Sequence, residues 1–133
     1  MPSSAEHQAK YQLNRAFLNS NGGLAGGDRM WAATVAFYSA LHLVERLAAR
    51  QNIHHMPPNA HGQRTRYLTT HPQHHVIFRD YRELRIASEL ARYGTVNQFQ
   101  VAYPGNAVQD VLIDQYLVAV EKYVAKVLGT PAA

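Results

Sequence analysis

Between residues 81 and 93 the chain reads Tyr-Arg-Glu-Leu-Arg-Ile-Ala-Ser-Glu-Leu-Ala-Arg-Tyr. At helical spacing Tyr81, Arg85, Ser88 and Arg92 fall on one narrow stripe, beside an apolar strip of Leu84, Ala87 and Ala91. Two guanidinium groups, a hydroxyl and a phenol in a line can hold an anion such as phosphate, because arginine presents a rigid fork of donors. The same residues can equally be the solvated rim of an ordinary helix.

Other residue sets offer weaker chemistry. His54, His55, His61, His71, His74 and His75 supply many imidazoles. A zinc site, however, needs fixed ligand geometry and usually a carboxylate or thiolate, and no HExxH is present. The one His-x3-His pair, His71 and His75, straddles Pro72, so no metal site is expected and no cofactor is implied. No Gly-x-Ser-x-Gly elbow exists for serine hydrolysis, and no conspicuous helix face carries the paired carboxylates of glycoside chemistry. Arginine with histidine remains. Metal-independent RNA cleavage uses a histidine to move protons and an arginine to stabilise charge on the phosphate. His61 with Arg64, Arg66 with His71, and His42 on the second helix are the pairs and positions to weigh.

These residues have to be positioned by helices. Ser3-x-x-Glu6 reads as a capping box opening a first helix, with Ala9, Leu13, Ala16 and Phe17 at helical spacing and an end near Asn21. The glycine-rich run Gly22 to Gly27 lacks any phosphate-loop pattern and reads as an interhelix connection. Asp28 can cap a second helix over Trp31 to Leu47, apolar nearly all round and therefore central, with Tyr38, His42 and Glu45 or Arg46 as a polar line. A third helix is expected from Asn59 to Thr70 and a fourth from His74 to Tyr93, closed by Gly94. In Thr95 to Gly105, Phe99, Val101 and Tyr103 alternate with polar or small residues, which predicts a short extended segment. Asn106 can cap a last helix carrying Val108, Val111, Leu112, Tyr116, Val120, Val124 and Val127, with Gly129 and Pro131 closing it. The expected fold is all-α, an up-and-down bundle of four long helices plus one short helix, in one domain spanning 1–133.

Composition agrees. The length suffices for a real core, and the absence of cysteine excludes disulfides and thiolate chemistry. No secretion signal is expected from the first residues, and the longest uncharged run, Met30 to Val44, is too short for a bilayer, so a cytoplasmic protein without a membrane partner is expected. The net charge of +4 is mild, but Arg64, Arg66, Arg79, Arg82, Arg85 and Arg92 all lie mid-chain with His61, His71, His74 and His75. An anionic partner would meet that region.

The order Asp28-x2-Trp31, then Ala36-Phe37-Tyr38-Ser39-Ala40-Leu41-His42, then His61-x2-Arg64, then Tyr81-x2-Leu84-x3-Ser88-x2-Ala91-Arg92-Tyr93 resembles the HEPN family (higher eukaryotes and prokaryotes nucleotide-binding domain), as a divergent small bacterial-type member. The resemblance covers nearly the whole chain. It implies a helical bundle, homodimerisation, and roles in RNA cleavage, toxin–antitoxin and defence systems, or nucleotide binding, with RNA, a nucleotide or a partner protein such as an antitoxin as ligand. Catalytic members carry Arg-x4–6-His followed by x-Tyr. Matching Tyr93 to that tyrosine puts Arg85 at the arginine and Ala91 at the histidine, and alanine cannot transfer a proton. Another branch ends in Arg-x2-Ala-Asp-Tyr, where this chain has Ser88 and Arg92 in place of the Arg and the Asp.

Three readings follow. The first is a HEPN-like binding module without the usual catalytic histidine, with Arg85, Ser88, Arg92, Tyr93, His61 and Arg64 as ligand-binding residues. The second is a ribonuclease with a relocated histidine, His61, His71 or His42, acting with Arg64 or Arg85. The third is a helical interaction domain whose arginines merely pair with Asp80, Glu83 and Glu89.

Overall fold

The computed structural model describes residues 3–19, 29–55 and 59–129; the expected Gly22 to Gly27 connection, the Asp28 cap and Pro131 lie outside them. The described residues are all-α, with no strand among them. Among the described residues there are six α-helices rather than four long and one short: α1 (Ser4–Asn19), α2 (Arg29–Arg50), α3 (Ala60–Thr70), α4 (Phe78–Tyr93), α5 (Val96–Ala102) and α6 (Val118–Leu128). A 3-10 turn, His74–Ile77, leads into α4, and a π-helical stretch, Val108–Leu117, leads into α6. No described helix is long and apolar enough to cross a membrane.

α1 opens as its capping box requires. Ser3 Oγ accepts from the Glu6 N–H at 3.1 Å, and the Glu6 carboxylate accepts from the Ser3 N–H at 3.2 Å. Its buried face is His7, Tyr11 and Leu18, whereas Leu13 is 73% exposed. The expected Leu13 line is thus rotated away from the core. Tyr11 wins the inward position because its phenol has a buried acceptor, donating to Glu121 of α6, which Arg15 also clamps at 2.9 Å.

α2 is the central helix, packed against α1, α4, the π-helical stretch and α6. Phe37, Leu43, Val44, Leu47 and a run of alanines are buried on all its sides. Its internal hydroxyls are satisfied within the helix, Thr34 on the Met30 carbonyl and Ser39 on the Val35 carbonyl. Asn52, left-handed at φ 58°, closes it: the Ile53 N–H returns to the Ala48 carbonyl and the Asn52 N–H to Ala49.

α3 stops at His71, which is extended before Pro72. The fourth helix opens as the 3-10 turn and becomes α-helical only from Phe78. At its end Gly94 is not left-handed. A Cβ there would lie 2.6 Å from Leu90 Cδ1 and 2.7 Å from the Leu90 carbonyl, so glycine is required for space.

The extended segment expected after Gly94 is instead α5. Thr95 and Gln98 form a second capping box, with bonds of 3.1 Å and 2.9 Å, and local capping overrides the apparent alternation. Phe99 is buried, but Val101 is 76% exposed, so the alternation did not report a buried face. No side chain caps the start of the last element, and Asn106 contributes only its carbonyl, to the Asp110 N–H. The wide π turn also corrects the expected core list. Five-residue steps from Val108 to Ile113 and from Leu112 to Leu117 bury Ile113 and Leu117, while Val111 and Tyr116 are only partly buried and Val127 is exposed. Gly129, at φ 70°, ends α6.

Candidate anion-binding site

The chemistry-bearing residues of α2, α3 and α4 meet around one buried arginine. Arg64, on the inner face of α3, is only 6% exposed. Its Nε donates to the Tyr81 hydroxyl of α4 at 3.2 Å, Nη1 to Glu45 Oε1 of α2 at 3.1 Å, and Nη2 faces His61 Nδ1 at 3.0 Å. Glu45 is buried too and takes a second bond from His55 Nδ1 at 2.8 Å. A carboxylate on a helix buried all round requires such cationic partners. Arg64 is therefore a strut between three helices, and each of its three types of guanidinium nitrogen is engaged.

That contact sets the state of His61. A guanidinium can only donate, so His61 Nδ1 must accept, and the imidazole is neutral with its proton on Nε2. Burial holds the His61 pKa below its ordinary value, and the charges of Arg64, Arg85 and Arg92 push it the same way against the weaker pull of Glu89. His61 is exposed at its residue surface, so Nε2–H is the face it can offer a ligand.

Arg85 and Arg92 sit at the partly buried edge of α4. Arg85 donates from Nε to Glu89 at 2.9 Å and from Nη1 to Thr65 of α3 at 3.2 Å. Arg92 donates from Nη1 to the Tyr38 hydroxyl at 3.1 Å, and its guanidinium lies over the rings of Tyr38 and Tyr93. Tyr93 itself is 79% exposed. The structure thus brings His61, Arg64, Arg85 and Arg92 into one electrostatic neighbourhood.

Other expected site residues lie elsewhere. Tyr81 and Ser88 face the core with Leu84 and Ala87, so the stripe is half buried. Ser88 is fully buried and its Oγ finds no partner among the described residues. Ser88→Ala should therefore raise stability by about 1 kcal/mol in urea unfolding, because it removes an unsatisfied hydroxyl and favours helix. A loss of stability would mean that the hydroxyl is satisfied. His42 contacts α1, its Nδ1 3.1 Å from His7 Nδ1, and burial followed by the His7 charge pushes its pKa down to about 4. His71 Nδ1 accepts the backbone N–H groups of Gln73 and His74, and its ring stacks on His74 at 3.7 Å, so it organises the Pro72 turn. Arg66 is exposed on α3. No group of three or more metal-ligating side chains occurs among the described residues.

Sequence reasoning placed Glu45 and Tyr38 on a polar line but missed their roles as partners of Arg64 and Arg92; it weighed His55 only as a metal ligand, not as a partner of Glu45, and it missed Thr65 altogether. The available signal was a charged residue inside an apolar helix. Comparison with known protein families, curated proteins and solved structures finds no match for this chain.

Proposed function

We propose that the protein is a HEPN-like, cytoplasmic RNA-binding module, its helices assembled as an up-and-down bundle. Arg85, Arg92 and His61 hold a phosphate, and Arg64 positions His61 from behind. The observation that carries this reading is that two partly exposed guanidinium groups, Arg85 held on Thr65 and Arg92 on Tyr38, act electrostatically on a neutral His61 and help to depress its pKa. An incoming phosphate relieves that unfavourable field. The Arg85–Glu89 pair it competes with is an exposed contact of the i,i+4 kind worth about 0.3–0.5 kcal/mol.

The ribonuclease reading draws support from the same neutral histidine beside Arg85. A general base, however, needs an unprotonated nitrogen, and the unprotonated Nδ1 is held by Arg64. Binding without cleavage is the better-supported function.

Fluorescence anisotropy with a labelled single-stranded RNA tests it. Arg85→Ala/Arg92→Ala should weaken binding at least tenfold and reduce the salt slope by about 1.4, at ~0.7 per phosphate contact on a single strand. Unchanged affinity in the double variant overturns the reading in favour of a purely structural domain. Metal-free RNA cleavage lost on His61→Ala would overturn it in favour of the nuclease.

A further inference from the structure

α4 carries four arginines outside the core, Arg79 and Arg82 exposed, Arg85 and Arg92 half-buried. The first two sit where the helix itself has no use for them. Arg79 lies in the first turn, beside the positive end of the helix dipole, where a cation is unfavourable. Among the described residues it meets only the field of its neighbour Asp80. Arg82 has an exposed 3.5 Å contact with Glu83, and its guanidinium lies over the Phe78 ring at 5.7 Å. Exposed contacts of that kind contribute little to stability, and neither arginine is tied to another helix among the described residues.

The four positions do not form a straight seam. From Arg92 to Arg79 they turn by about 140° around α4 while covering about 20 Å of its axis. Arg92 and Arg85 lie on the side of α3, where Arg85 bonds Thr65. Arg82 and Arg79 then carry the path outward, over the exposed face to the start of the helix. Glu89, paired with Arg85, borders the upper part of this path and repels an anion that strays from the α3 side.

We propose that the phosphate site continues over Arg82 to Arg79, so that α4 holds successive phosphates of one RNA strand, one for each arginine, and not an isolated phosphate group. This extension rests on the phosphate site proposed above. A path that turns through more than a third of the helix circumference suits a backbone that bends at every residue, whereas a duplex or a lipid surface meets only its outer part. Tyr93, 79% exposed at the Arg92 end, offers a ring on which a base can stack, which favours a nucleic acid over an acidic peptide. The Phe78 ring under Arg82 limits the rotamers of that side chain and holds its charge on the path. Affinity should therefore depend on the length of the strand, with the arginines at the start of α4 felt only by the longer ones.

Competition anisotropy with unlabelled oligoribonucleotides against the labelled strand tests this. A 5′-phosphorylated dinucleotide brings one phosphate each for Arg85 and Arg92. An octanucleotide, which reaches Arg79, should bind the native chain at least tenfold more tightly. Arg79→Ala/Arg82→Ala should remove most of that gain and change the dinucleotide affinity less than twofold. It should also lower the salt slope of the octanucleotide by about 1.4, at ~0.7 per phosphate contact. Urea unfolding of the same variant should show no loss of stability, since alanine is the better helix former and one cation leaves the first turn.

An octanucleotide bound as tightly by the variant as by the native chain, equal weakening at both lengths, or a destabilised variant overturns the extension. So does an acidic peptide that competes as well as the octanucleotide, which would assign the path to a protein partner. Dinucleotide binding that still depends on Arg85 and Arg92 in any of these events leaves the functional reading standing. Octanucleotide binding that needs Arg79 and Arg82 but survives Arg85→Ala/Arg92→Ala means the reverse.

Discussion

Glu45→Ala should destabilise the fold by about 3–5 kcal/mol, the cost of leaving one member of a buried ion pair without the other. Glu45 and Arg64 are 5% and 6% exposed, and they meet at 3.1 Å. Arginine cannot shed its proton at any accessible pH, so removing the carboxylate strands a full positive charge at a buried position. The Tyr81 hydroxyl and His61 Nδ1 remain as acceptors, but neither carries negative charge. The reverse change is milder, because His55 stays hydrogen-bonded to Glu45 at 2.8 Å and keeps one partner on the carboxylate. Urea unfolding should therefore rank Glu45→Ala as the less stable variant and Arg64→Met as the more stable one. Glu45→Met/Arg64→Met should recover more than half of the loss, since apolar replacement of both partners removes the stranded charge. A cost below about 1 kcal/mol for Glu45→Ala would mean that water reaches the pair. Arg64→Met also frees His61 Nδ1 and removes one positive neighbour, so the His61 ring should titrate at higher pH than in the native protein when followed by NMR.

The helices were legible where side-chain chemistry acts within one or two turns. The Ser3–Glu6 box, the all-round apolarity of α2, the Pro72 break and the left-handed Gly129 are local signals, and each does locally what its residue type requires. α5 was misread because Phe99, Val101 and Tyr103 alternate, while the competing signal, Thr95 with Gln98 three residues on, was the stronger one. The last core stripe was misassigned because a π-helical stretch changes the step from about 3.6 residues to more than four, and no residue type announces that change.

The candidate site was legible in the types of its residues and not in their arrangement. Arg85, Arg92, His61 and Arg64 could be selected by type, and the structure does bring them together. Their division of labour depends on depth, which a helical wheel does not give. Arg64 lies inside and Arg85 at the edge, although both are arginines beside apolar positions. What distinguishes them is Glu45, nineteen residues before Arg64 and on another helix. Ser88 shows the converse: its place between Arg85 and Arg92 suggested a ligand group, yet Ala87 and Leu84 share its face and carry it into the core.

Acid should loosen this protein well before its carboxylates protonate. Burial pushes the pKa values of His42 and His74 from 6.5 down to about 4, with His7 and His71 adding to the effect, and burial lowers His7 as well. In the unfolded chain these imidazoles bind protons as pH falls through 6.5; in the folded chain they resist until about 4. Across that window the unfolded state holds more protons, so stability rises with pH: it is complete above about 6.5 and lost progressively toward 4. At ~1.4 kcal/mol per unit, the buried His74 contributes on the order of 3 kcal/mol, and the partly exposed His42 less after solvent screening. Urea midpoints at pH 7 and pH 5 should therefore differ clearly, and His42→Gln/His74→Gln should reduce the difference by more than half. Equal native midpoints at the two pH values would refute the assignment. The loss should also be uneven. His42 meets His7 across the α1–α2 contact, and two facing Nδ1 atoms 3.1 Å apart cannot both carry protons. His74 instead bonds the Tyr123 hydroxyl of α6 at 2.6 Å. Because the His7–His42 contact holds α1 on α2, with the Tyr11 and Arg15 clamp on Glu121 tying it to α6, amide exchange at pH 5 should accelerate in α1 before it does in α4.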